Sequence, residues 1–393
     1  MSSVVCKGLS YLIMAILILI AIVFNNTALA QGTDAATNSD IEYLQRVPLN
    51  AEKQVGLLWP EVVEFAPAQN KTTDIKFVIK KKSTVTLNMH GPDGEVVRQL
   101  INQKPYEQGQ HVISWDGKDD DGIVVPDEVW VPVLSVTFQN GRSIVDDTRL
   151  YSGGEIIPDI RWTTRGNTEL SFDVPFPARL LIRTGIDEGP MMRVLKRWEP
   201  VGAGKVVVRW DGFDADGVDE FSVRDDTWFV VLAYQLPEFA LISTGNLKVN
   251  YRDYRKLKGW SEPQIDLSQL QLQRDGIRLS RDYSLPRSFH PEVSIVLADE
   301  LEVSRTGLPM VEDRVRFKID VPKEDRWVLD SSFYETGFYI DYQFQSEEEQ
   351  GFVPMIWDYD ASELAPGRHV ATVQLFGFGG FITSATLAFE VLR

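Results

Sequence analysis

The residues best placed to do chemistry are acids in a loop that occurs twice. One copy reads Trp115-Asp116-Gly117-Lys118-Asp119-Asp120-Asp121-Gly122, the other Trp210-Asp211-Gly212-Phe213-Asp214-Ala215-Asp216-Gly217. Carboxylate and backbone oxygens gathered in a tight turn are the donor set of a calcium site. Asp116, Asp119 and Asp121 are therefore candidate metal ligands in the first copy, and Asp211, Asp214 and Asp216 in the second. The spacing departs from the helix-loop-helix calcium pattern. With Gly122 on that loop's glycine, Gly117 falls where the first ligand is needed; the second copy puts Gly212 there and Val223 at the closing acid position. A turn explains the same residues without an ion, because aspartates cap backbone N–H groups and glycine supplies positive φ.

Other chemistry has less support. The histidines are His90, His111, His290 and His369, and the second copy has Gly185 and Val206 where the first has His90 and His111. No His-Glu-x-x-His, Gly-x-Ser-x-Gly or phosphate-cradling glycine loop occurs. Adjacent acids such as Asp146-Asp147 and Asp225-Asp226 point to opposite faces of a strand, which is poor geometry for paired catalytic carboxylates. The expectation is a protein that is not an enzyme. Trp115 and Trp210, each ending a strand, are expected in the core. Trp130, Trp198, Trp228 and Trp260 are the candidates for an exposed contact surface.

The elements holding these loops are strands. The repeat offset of 95 residues, Trp115 to Trp210, extends backwards through Gly109/Gly204, Leu100/Leu195, Arg98/Arg193, Phe77/Phe172 and Thr73/Thr168. One building block is thus present in tandem. Ile75/Phe77/Ile79 and Val85/Leu87/Met89 alternate with polar residues, the period of a half-buried strand, and Gly91-Pro92-Asp93-Gly94 is a turn between strands. The second copy repeats the plan with Leu170/Phe172/Val174, Leu180/Ile182 and Val206/Val208/Trp210. A third strand-rich region carries Val315/Phe317/Ile319/Val321, Phe338/Ile340/Tyr342/Phe344, His369 to Phe376 and Ala385 to Leu392. The acids at Glu347-Glu348-Glu349 suggest a hairpin tip, and Leu267 to Gln273 a short helix.

The pattern Gly-x-x-x-Val/Ile-x-x-Trp-Asp-Gly-x-Asp-x-x-Gly followed by an aromatic-rich strand resembles a bacterial Ig-like domain, of the kind found in flagellar hook-capping proteins. Gly109 to Gly122 with Trp130, and Gly204 to Gly217 with Trp228, carry the likeness. The third region resembles another bacterial Ig-like type through Trp357, Asp358, Leu364, Pro366, Gly367 and His369. The resemblance implies an all-β fold of three tandem Ig-like antiparallel β-sandwiches. The expected divisions are a signal peptide at 1–30, a leader and first strand at 31–72, and modules at 73–150, 151–251 and 291–393, with a connector at 252–290.

Lys7, the apolar run from Leu9 to Phe24 and Ala28-Leu29-Ala30 together read as a secretory signal cleaved before Gln31. No stable membrane span is expected after cleavage. The single cysteine, Cys6, leaves with the signal, so the mature modules stand without disulfides. That combination suits the periplasm or outer surface of a Gram-negative bacterium. A net charge of −17 repels phosphate backbones and argues against nucleic acid. The function expected is a non-catalytic envelope scaffold that binds other proteins through its β-sandwich modules. The alternative is a carbohydrate-binding or calcium-dependent adhesin, with a glycan as partner.

Overall fold

In the first module, the alternation seen in the sequence becomes two facing sheets. A computed structural model describes residues 41–43, 55–260, 273–274, 277–278, 291–330, 333–377 and 381–392. The expected signal peptide, Cys6, the polar leader before Asp40, His290 and residues 267–272 of the expected short helix lie outside the described residues. The strands of this module are β1 (Ile41–Tyr43), β2 (Val55–Leu58), β3 (Glu64–Phe65), β4 (Thr73–Ile79), β5 (Ser83–His90), β6 (Val96–Tyr106), β7 (Gly109–Trp115), β8 (Val129–Phe138) and β9 (Ser143–Asp147). One sheet runs β2-β4-β7. In the other, β5 lies between β6 and β8, β9 follows β8, and β1 adds in parallel outside β9. Ile75, Phe77 and Ile79 of β4 meet Val85, Leu87 and Met89 of β5 in a single core, as period-two burial on facing sheets requires.

The second module repeats this on a smaller scale. It comprises β10 (Trp162–Arg165), β11 (Glu169–Val174), β12 (Ala178–Ile186), β13 (Met191–Val201), β14 (Gly204–Arg209) and β15 (Thr227–Gln235), paired as β10-β11-β14 and β13-β12-β15. Its core holds Leu170, Phe172, Val174, Leu180 and Ile182.

The chain then returns to the first module. Strand β16 (Leu241–Ser243) pairs antiparallel with Trp130 and Val129 of β8 and parallel with β3. A helix, Tyr251–Leu257, follows, with the Asn250 side chain accepting the Asp253 N–H as its N-cap. Phe239, Leu241, Tyr251 and Tyr254 are buried in the first module's core, and Trp260 packs against it. Residues 239–260 therefore complete the first module rather than ending the second or opening a connector. Alternation could not reveal this, because the segment finds its partners far back along the chain.

After the short pair β17 (Gln273–Arg274) and β18 (Ile277–Arg278), the third module contains β19 (Ser294–Leu297), β20 (Met310–Val311), β21 (Arg314–Asp320), β22 (Tyr334–Ile340), β23 (Gln343–Glu348), β24 (Met355–Asp360), β25 (Gly367–Gly377) and β26 (Ile382–Val391). Its sheets run β19-β21-β24 and β20-β26-β25-β22-β23 around Phe317, Phe338, Trp357 and Phe389. The run Phe338/Ile340/Tyr342/Phe344 is not one strand. It turns at Asp341 and Tyr342, with φ of 47° and 68°, and resumes as β23. Glu347 and Glu348 lie in that strand, not at a hairpin tip. The architecture is all-β and dominated by antiparallel sheets. Residues Asp40–Arg393 form one compact unit.

Gly117 shows how closely the first acid loop is seated. Its φ is +67°, and an added Cβ would stand 2.3 Å from Pro67 Cβ. Gly122, at φ +80°, has open space around it. Gly117→Ala is expected to lower the thermal midpoint well beyond the loss in Gly122→Ala, which carries only the left-handed backbone cost of about 1–2 kcal/mol. Equal losses in the two variants, read by calorimetry, would remove the packing role of the Gly117–Pro67 contact.

Candidate functional site

Each acid loop begins where a strand ends, at a tryptophan that is fully buried in the first copy and, against the expectation of a core residue, only half-buried in the second. Trp115 closes β7, is fully buried and donates its indole N–H to the Lys118 carbonyl at 2.9 Å. Trp210 follows β14 and donates to the Asn167 carbonyl at 2.7 Å. Both indoles thus tie the loop to the sandwich. Asp116 and Asp211 make the same short turn, accepting the N–H groups of Lys118 and Phe213 at 3.1 Å each.

The next acid organises each turn. Asp119 has no exposed surface. Its Oδ1 accepts the Asp121 and Ile123 N–H groups at 3.0 and 2.8 Å. Its Oδ2 accepts the Tyr254 hydroxyl at 2.7 Å and the Lys258 ammonium at 3.0 Å, and Asp121 pairs with the same lysine. In the second copy Asp214 is equally buried. It accepts the Asp216, Val218 and Asp219 N–H groups at 2.8, 3.2 and 2.5 Å. Asp211 also receives Arg193 at 2.6 Å, and Asp216 receives the Thr386 N–H of the third module at 2.7 Å.

The two loops are thus docking joints. The first holds the helix that returns to its own module; the second holds the third module. Asp116, Asp119, Asp121, Asp211, Asp214 and Asp216, the calcium candidates of the sequence, all lie in these two joints. The oxygens engaged in these bonds face N–H, O–H, ammonium and guanidinium donors, whereas a calcium site gathers lone pairs on one point. Among the described residues, no group of three or more His, Cys, Asp or Glu is placed to hold a metal ion.

Charge divides the copies. Burial pushes the Asp119 carboxyl up, but the Tyr254 hydroxyl, Lys258 and the Ile123 N–H together outweigh it and hold its pKa below the ordinary value. Among the described residues, no cation stands beside Asp214 in this way. Burial dominates, Asp219 adds repulsion, and its pKa is raised despite three backbone donors. Asp216 is raised too, by burial first and by Asp214.

The tryptophan candidates separate as well. Trp130 is fully buried and donates to Ser243 Oγ at 2.7 Å; Trp198 is 2% exposed and packs against Tyr234. Neither offers a face to a ligand: β16 and the helix cover Trp130 within the first module, and Tyr234 lies against Trp198. Trp228 is half-buried and donates to the Ile186 carbonyl at 2.6 Å. Trp260 is half-buried with its ring against Tyr254. Trp59 and Trp162 are more open, at 52% and 41%.

Sequence reasoning missed Glu128 and Arg179, an ion pair of 2.6 Å with both side chains fully buried between the first two modules. It also missed Lys258, Asp219, Tyr342 and Arg368. Their partners lie far away in the chain, 139 residues in the case of Lys258 and Asp119, and no local spacing signals them.

No protein-family model matches the chain, and no curated protein does. Among solved structures, a tetra-tandem repeat from the extending region of a large adhesion protein is similar at TM-score 0.18 and 12% identity, covering 86% of this chain and 73% of that one. The fibronectin(III)-like modules of Clostridium thermocellum CbhA match at TM-score 0.17 and 7% identity, over 86% and 94%. The endo-beta-1,4-mannanase of Thermotoga petrophila matches at TM-score 0.21 and 14% identity; this chain spans 27% of its length and is itself covered over 31%. At TM-scores this low, none of these likenesses says what the chain binds or does.

Proposed function

We propose that this chain is an exported, non-catalytic scaffold of a Gram-negative envelope, in the periplasm or at the outer surface, that binds other proteins through its β-sandwich modules. The reading rests on the acid loops. The motif richest in reactive side chains is engaged within the chain, as joints between folded parts. Docked modules present contact surfaces in a set relation to one another, which suits holding partners in place. The modules we propose are residues 41–43 and 55–150 together with 239–260, residues 151–238, and residues 291–393.

The mature chain, starting at Gln31, is expected to recover one defined envelope protein after crosslinking in intact cells. Repeated recovery of no partner would overturn the scaffold. A calcium-dependent rise in melting temperature, or binding in a glycan screen, would replace it with the adhesin reading.

A further inference from the structure

The two joints are built from different materials. Between the first and second modules lie Val129, Val131, Leu236, Ala240 and Ile242, an apolar cluster, beside the buried Glu128–Arg179 pair. Strand β16 also crosses back into the first module's sheet. Separating these parts would bare apolar surface and a buried charge pair, and the return of the chain through β16 tethers the second module to the first at both ends.

The joint that holds the third module is mainly polar: Arg252, on the helix of the first module, pairs with Asp325, and Arg197 of the second module pairs with Glu292 at 3.7 Å. Asp219 accepts the Tyr342 hydroxyl and pairs with Arg368 at 2.8 Å, and Arg368 also donates to the Val218 carbonyl at 2.9 Å. The Met191 N–H donates to Gln374 Oε1 at 2.8 Å. Thr372 and Gln374 of β25 stand directly across from Thr386 and Ser384 of β26, all four buried. These side chains hydrate readily once parted, and the buried Thr372 hydroxyl has no hydrogen-bond partner among the described residues. The apolar part is small: Tyr342 against Ile186, Met192, Phe221 and Trp210.

The joint also covers a strand edge. Strand β20 pairs with β26 only at Glu390 and Val391. Among the described residues, no strand pairs with 382–389 on that side. Instead β13 lies alongside, and Asp216 caps the Thr386 N–H. Ser384 and Ala388 share the outward edge by strand alternation. We propose that this contact is a releasable latch, closed by Asp216, Asp219, Arg368 and Tyr342, that masks the 382–389 edge of β26 in the closed form. Opening bares an edge of the kind to which an extended segment of another protein adds. The device stands independently of the scaffold role.

Hydrogen exchange on the full mature chain tests it. Arg368→Ala removes two latch contacts from a side chain that is 43% exposed. Tyr342→Phe keeps the ring and removes one hydroxyl. Amides at 384, 386 and 388 are expected to exchange faster by about tenfold or more in Arg368→Ala, and by a smaller factor in Tyr342→Phe. Core amides of β21 should be unchanged in both. If edge amides exchange only together with those of β21, the third module leaves by unfolding and the latch is wrong. Unchanged edge exchange in both variants overturns it equally.

Discussion

Glu128→Ala is expected to destabilise the chain by about 3–5 kcal/mol, because it takes the carboxylate away from a buried guanidinium. Arg179 has no exposed side-chain surface; it gives one N–H to Glu128 Oε1 at 2.6 Å and another to the Trp198 carbonyl at 2.9 Å. Glu128 Oε1 also accepts the Val129 N–H at 2.7 Å, while Oε2 has no hydrogen-bond partner among the described residues. The pair is therefore incompletely satisfied, and desolvation offsets much of its attraction. A double replacement by apolar residues of similar length, Glu128→Met with Arg179→Met, is expected to restore most of the stability lost in the single variant. Urea unfolding followed by tryptophan fluorescence reads this out through Trp130 and Trp198, which flank the site. A single-variant loss below about 1 kcal/mol, or a double variant worse than Glu128→Ala alone, would show that the pair does not organise the joint.

Much of the sandwich plan was legible where burial alternates on one strand. Ile75/Phe77/Ile79 and Leu170/Phe172/Val174 face their cores because period two leaves them no other arrangement. The tandem repeat located both acid loops, and Trp115 lies in the core as its place at a strand end implies. What could not be read was set by distant partners. Trp130 was a candidate contact residue, yet β16 arrives from the far side of the second module and buries it over Ser243. Tyr254 looked like part of a polar connector, but its ring enters the first core and its hydroxyl reaches Asp119. The same limit explains Tyr342. Its alternation with Phe344 suggests a continuing strand, while its positive φ and its contact with Asp219 make it a turn residue at the second joint.

A duplicated motif preserves its local turn and leaves its outer partners free to differ. Asp119 and Asp214 hold the same backbone donors within their own loops, since each accepts N–H groups two and four residues ahead. Beyond the turn they diverge, one toward an ammonium and a phenol, the other toward a third backbone amide.

That divergence predicts opposite titrations from equivalent residues. Asp119, held low, should remain charged below the ordinary aspartate value of about 3.9, and Asp214, raised, should take up its proton above it. The stability effects follow with opposite signs. Asp119 contributes fully above its unfolded pKa, and that contribution is lost as pH falls through its lower folded value. Asp214 favours the protonated fold, so its contribution is complete below the unfolded pKa and is lost as pH rises through the higher folded value. At neutral pH, Asp119→Asn is expected to cost about 2–3 kcal/mol by weakening charge-assisted bonds to Tyr254 and Lys258. It should also flatten the fall in stability below about pH 4. Asp214→Asn should abolish the gain in stability on mild acidification, while still losing the Oδ2 bond to the Asp219 N–H, because a carboxamide nitrogen cannot accept it. Side-chain carboxyl chemical shifts followed against pH give both pKa values directly. Two carboxyls titrating on the same side of the ordinary value would refute the account of how these loops came to hold different partners.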